Sequence, residues 1–303
     1  MRQAAGLVEP ETGLSTPGDP EVVVVSRRMW AERNLTAFGR LLAPLEDRLA
    51  ERLPSQGGLA RRLVAIETGA LLGFLARRVL GQYELVLPTG EDGDAVAFVG
   101  ANVLEMERRH QFQPASFRLW IALHEATHRA QFIGVPWLRP YFLSLVEELV
   151  ARSRLDPGGL GARLIEVAGS MGRGEPIIDE TGLFGLFATP EQREVLDRVQ
   201  ALMSVLEGHG HVVMNRIGAR VVRGQQRMAE VLAMRRKDPR TAAFFRLTGI
   251  EMKLRQYELG ERFVRTVEDE AGWATLGHLW DGPELLPDLT EIEQPRRWLQ
   301  RAA

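Results

Sequence analysis

Cysteine is absent from this 303-residue chain, and that absence excludes disulfides, thiolate-bound zinc and thiol nucleophiles. A bound metal would therefore rest on His, Asp and Glu. Lysine is almost absent as well, with only Lys237 and Lys253, so arginine carries nearly all the positive charge. That charge is matched by acidic residues, 38 basic against 40, for a formal net charge of -2. Such a balance supplies no basic face for nucleic acid or an anionic membrane. Long apolar runs are missing too. The most apolar stretch, Leu63 to Leu80, is interrupted by Glu67 and the Arg77-Arg78 pair, too short and too charged to span a bilayer. The N-terminal residues show no apolar core of a secretory signal. These features lead us to expect a cytoplasmic protein.

What is present is ordinary globular composition, 45% hydrophobic and 26% charged. Residues 1–20, rich in Pro, Gly, Glu and Thr, read as a flexible tail, followed by one α-rich domain over 21–303. Helical patterning covers 26–53 and 58–80. A hairpin follows, Tyr83-Glu84-Leu85-Val86-Leu87 and Ala95-Val96-Ala97-Phe98-Val99 around the turn Gly90 to Asp94. Beyond it nearly everything reads as helix: 101–110, 115–132, 137–153, 159–170, 190–216, 224–237, 240–269, 271–278 and 290–301. Thr189-Pro190-Glu191-Gln192 is a helix start, with an N-cap and proline at the first position. Gly134 and Pro136 form a stop. The Gly-rich segment 172–187 reads as a mobile loop.

The chemistry concentrates in His124-Glu125-Ala126-Thr127-His128. Residues four apart share a helix face, so His124 and His128 can chelate one ion. Glu125 sits about 100° further round, near that ion without ligating it. This geometry suits a general base acting on zinc-activated water. Phe117, Trp120 and Ile121 lie on the stripe that leads to both histidines, which predicts imidazoles pointing inward. No Gly-x-Ser-x-Gly elbow supports a serine hydrolase. The cluster Gly158-Gly159-Leu160-Gly161 follows no strand, so it fails as a phosphate loop.

A catalytic zinc takes three protein ligands and keeps an open position. The best source of a third ligand is Leu206-Glu207-Gly208-His209-Gly210-His211. Glu207 continues the apolar stripe from Val199 and Met203, and a buried carboxylate needs a partner such as a cation. His209 is the alternative ligand if the helix loosens at Gly208 and Gly210, and His211 is a further one. His211, on the Glu207 face, is a candidate catalytic residue, able to orient a ligand or donate to an oxyanion. His110 reads as a solvated helix end and His278 as a packed residue.

The run Phe117-Arg118-Leu119-Trp120-Ile121-Ala122-Leu123-His124-Glu125-Ala126-Thr127-His128-Arg129, with Val135-Pro136-Trp137-Leu138 after it, resembles a family of zincin-like metallopeptidases labelled as associated with deazaflavin-coenzyme biosynthesis in methanogens and actinobacteria. The resemblance extends to Leu206-Glu207-Gly208-His209, to Lys253 through Gly260 with Gln256 and Tyr257, and to Leu286-Pro287, Glu291-Ile292, Pro295 and Trp298. It implies zinc on His124 and His128, Glu125 as catalytic acid and base, and Glu207 as third ligand. His211 stands where that family's pattern has an acidic residue. Glu207 follows His128 by 79 positions, far more than in thermolysin-like peptidases, so the resemblance implies a mainly α, zincin-like fold with a small β-hairpin that diverges from the thermolysin type. The expected activity is hydrolysis of a peptide or amide bond, with a peptide or small amide as partner and the edge of the hairpin open to an extended substrate. Two alternatives accompany it: a non-catalytic, metal-stabilised binding or regulatory protein, and a small-molecule amide hydrolase of a cofactor pathway.

Overall fold

The computed structural model describes residues 1–50, 58–84, 94–151, 190–236 and 251–302. The expected helix 159–170, the loop 172–187, the cap at Thr189 and the outer part of the hairpin lie outside those residues. The architecture is mainly helical with a small three-stranded sheet. The chain packs as two compact units, 1–139 with 213–228 and 140–212 with 229–303.

In the first unit the expected tail contains α1 (Arg2–Thr12), ended by Gly13 in the left-handed conformation at φ 70°. Ala4 and Val8, one turn apart, are buried, and α1 packs on α5 (Pro114–Gly134). Only two apolar residues form that stripe, too few to announce a helix by periodicity; the partner helix creates the burial. After α1 comes β1 (Glu21–Val25), a run of four valines well suited to a pleated, half-buried surface. Helices α2 (Arg27–Ala50) and α3 (Gly58–Leu75) supply the crossover that lets β1 pair in parallel with β3 (Ala95–Val99). The strand β2 (Gly81–Tyr83) pairs antiparallel with β3 on its other side, giving the order β1-β3-β2. The hairpin thus stands, but its first strand begins two residues earlier than its apolar run and a third strand joins it. Central β3 is buried at four of its five positions, which explains its nearly uninterrupted apolar sequence. Val25, Trp30, Leu72, Ala76, Ala97 and Val99 form one core cluster between the helices and the sheet. Then α4 (Gly100–His110) turns at Gln111 into α5.

The second unit holds α6 (Leu138–Ala151) from Pro140 onward. It also contains the first two-thirds of α7 (Pro190–Val221), most of α8 (Gln225–Arg236), α9 (Glu251–Ala271) and the C-terminal elements. The α7 and α9 backbones meet at Gly208 and Gly260, where a methyl group on Gly260 would fall 1.8 Å from the Ser204 carbonyl oxygen. The segment Trp273–Trp280, expected as α-helix, is a 3-10 helix. Two short helices end the fold, α10 (Leu289–Glu293), opened by an Asp288–Glu291 capping box, and α11 (Pro295–Ala302). Trp298 anchors α11, with its ring against Phe263 and its indole N–H donated to the Leu285 carbonyl at 2.7 Å.

Candidate metal centre

Helix α5 starts where Gln113 accepts a hydrogen bond from the Ser116 amide and Pro114 takes the first position. Phe117, Trp120 and Ile121 are buried, as the stripe predicts, and so are Leu123 and Ala130. This packing fixes the rotation of the helix and therefore where the next turn points. His124 and His128 emerge side by side, their ring centroids 4.5 Å apart and their planes at 78°. Their Nε2 atoms are 3.2 Å apart. Two nitrogens bound tetrahedrally at about 2.0–2.1 Å would lie about 3.3 Å from each other, so the pair already has the spacing of two ligands on one zinc ion.

Glu125 is buried, 4% exposed, and its Oε2 accepts a hydrogen bond from the Tyr83 amide at 2.9 Å. Just past β2 the Glu84 amide donates to the Ala95 carbonyl of β3, so the Tyr83 amide, one residue earlier, faces the open edge of the sheet. The edge expected to receive a substrate is therefore occupied at Tyr83 by Glu125. A methyl group on Gly81 would lie 2.7–2.9 Å from the Glu125 carboxylate and Cγ, so only glycine lets β2 come this close. Tyr83 itself is buried, which together with Asp94 pushes its phenol up to about 12.

Two residues just past the motif complete this region. Arg129 is 1% exposed and pairs with Asp94 through a 2.6 Å contact, while also donating to the carbonyls of Pro17 and Gly18. Gln131, fully buried, places its Oε1 2.9 Å from His128 Nδ1. Sequence reasoning passed over Gly81, Tyr83 and Gln131. Only Gln131 leaves a trace in the spacing, as the residue three positions beyond His128.

Helix α7 carries the other candidates, and it runs unbroken through Gly208 and Gly210. The loosening that His209 needs in order to serve as a ligand does not occur. His209 lies about 200° around the helix from Glu207, where it stacks on Trp273 at 5.8 Å and meets Trp280 edge-on at 5.1 Å. Glu207 and His211 share a face and are both 9% exposed. His211 Nδ1 sits 3.8 Å from a Glu261 carboxylate oxygen, an electrostatic contact beyond hydrogen-bond range. Away from this region, the His110 ring stacks on Phe112 and exposed His278 contacts Asp281 at 3.0 Å.

The sequence model of a family described as zincin-like metallopeptidases matches residues 1–299. The chain belongs to that family. A crystal structure from Chloroflexus aurantiacus, described as that of a candidate hydrolase with a novel fold, is similar over 99% of this chain and 86% of its own. The two are 33% identical, with a TM-score of 0.73. No curated protein matches the sequence. Zincin-like membership implies a metal, and the donor set of neutral imidazoles and carboxylates is the one zinc prefers when thiolates are absent. No helix among the described residues is long and apolar enough to cross a membrane.

Proposed function

We propose that this zincin-like protein is a zinc hydrolase of the His-Glu-x-x-His type that cleaves a peptide or amide bond, with His124, His128 and Glu207 as metal ligands and Glu125 as general base. One observation carries the reading: on α5 the Nε2 atoms of His124 and His128 lie 3.2 Å apart, the spacing of two ligands on one ion, with Glu125 between them in the chain. Zinc bound there would supply a Lewis acid that polarises the scissile carbonyl and acidifies water. Glu125 takes the proton of the attacking water on its carboxylate and passes it to the leaving amine nitrogen. The Tyr83 amide holds that carboxylate in one orientation, so its proton-transfer geometry is set before substrate arrives. His211, on the Glu207 face of α7, is the candidate donor to the developing oxyanion.

Elemental analysis of purified protein tests the ligands, and turnover of a peptide library tests the base. About one zinc per chain is expected by the three-ligand rule, lost in both His124→Ala and Glu207→Ala. Zinc retained by Glu207→Ala would move the third ligand elsewhere on α7. Glu125→Gln should keep its zinc and lose about two to four orders of magnitude in turnover; wild-type turnover in that variant would end the mechanism.

A further inference from the structure

We propose that Gln131 is a positioning residue that holds the His128 imidazole in its Nδ1–H tautomer, so that the Nε2 lone pair faces the metal. The inference rests on the zinc reading above and adds the group that prepares one of its ligands. Its basis is the 2.9 Å contact between Gln131 Oε1 and His128 Nδ1. An amide oxygen accepts hydrogen bonds and cannot donate one, so with Oε1 facing Nδ1 the contact is a hydrogen bond only in the tautomer that carries the proton on Nδ1. A neutral imidazole has one proton, and placing it on Nδ1 leaves Nε2 as the acceptor. That Nε2 is the atom 3.2 Å from His124 Nε2, at the spacing expected of two zinc ligands.

Gln131 is equipped to hold this arrangement. It lies on α5, as His128 does, within one helical turn, and its side chain is fully buried, so water does not compete for the contact. Its neighbour Phe132 stacks on Tyr83 at 6.3 Å, packing that fixes this turn of α5 against β2. A histidine ligand commonly donates its second N–H to a carboxylate or carbonyl, which sets both tautomer and ring orientation. Here the acceptor is an uncharged amide, which orients the ring without adding negative charge beside the metal.

The test uses the full chain labelled with 15N-histidine. In the metal-free wild type, long-range proton–nitrogen correlation should show His128 protonated at Nδ1, and Gln131→Leu should shift it toward the Nε2–H form. Zinc dissociation constants, measured by chelator competition, should be about 10–100-fold weaker in Gln131→Leu. They should be no weaker in Gln131→Glu, whose carboxylate accepts the same proton in nearly the same volume. A merely structural role predicts a lower melting temperature in both variants, with neither the tautomer nor the zinc affinity following the acceptor. An Nε2–H tautomer in the wild type, or undiminished zinc affinity in Gln131→Leu, overturns the proposal while leaving the metal site intact. A wild type that takes up no zinc overturns the metal reading itself, even where the Nδ1–H tautomer is found.

Discussion

Two backbone features hold the Glu125 carboxylate, the Tyr83 amide that donates to it and the missing side chain of Gly81 beneath it. Gly81 does not have a positive φ, so alanine is conformationally acceptable there and its effect is purely steric. Gly81→Ala should cost about 1–3 kcal/mol by overpacking. In a Glu125→Ala background the obstructing atoms are gone and most of that cost should vanish. A double-mutant cycle in urea checks this, with a coupling of about 1 kcal/mol or more expected; additive penalties would mean that β2 and α5 do not meet through Glu125. Arg129 shows the same dependence on long-range partners. It follows the motif directly in sequence, yet its task is to tie Asp94 and residues 17–18 to α5.

Glycines separate into two kinds at the level of helices. Gly208 and Gly260 let the backbones of α7 and α9 touch, since a methyl group on Gly208 would stand 2.2 Å from the Gly260 carbonyl carbon. Both neighbours are main chain and cannot rotate away. Gly260→Ala should therefore destabilise by about 3 kcal/mol or more, because the helices must separate. Gly69, in the middle of α3, is exposed, and a methyl group added there would meet nothing within 4 Å. Gly69→Ala should instead stabilise by about 0.5–1 kcal/mol through helix propensity and reduced freedom of the unfolded chain. Chemical denaturation of the two variants checks the opposite signs.

For the whole chain, stability should depend on acid and on metal. Burial alone would raise the Glu11 carboxyl, but hydrogen bonds from Arg220 and Arg216 outweigh it and hold the group below its ordinary value of 4.5. Glu291, held by Arg301 and the Asp288 amide against the same cost of burial, behaves alike. A carboxyl depressed on folding stabilises the native state above its unfolded value, and that contribution is lost as pH falls through the native one. Glu11→Gln should thus be less stable than wild type by about 1–2 kcal/mol at neutral pH. The two should converge under acid, as thermal melts across pH would show. Zinc that binds only the native state adds about 2.7 kcal/mol at a free concentration about one hundred times its dissociation constant. Calorimetry with added zinc should show a higher melting temperature in the wild type, reversed by a chelator, and no shift in His124→Ala.

Local pattern was enough for the helical class, the course of α5, the hairpin with β3 and the zincin-like resemblance, because these depend on residues within one or two turns of each other. The adjacency of His124 and His128 belongs to this level, since a four-residue spacing on a helix dictates it. Tertiary structure decided the rest. α1 forms from a stripe of only Ala4 and Val8 because α5 supplies the apolar surface that they bury. β1 becomes a strand through its parallel pairing with β3, which lies beyond two intervening helices along the chain. His209 turns to two tryptophans, and Glu125 to a backbone amide of β2, through contacts between segments remote in sequence. Composition and periodicity describe one element at a time, whereas partners such as these exist only once the elements are packed together.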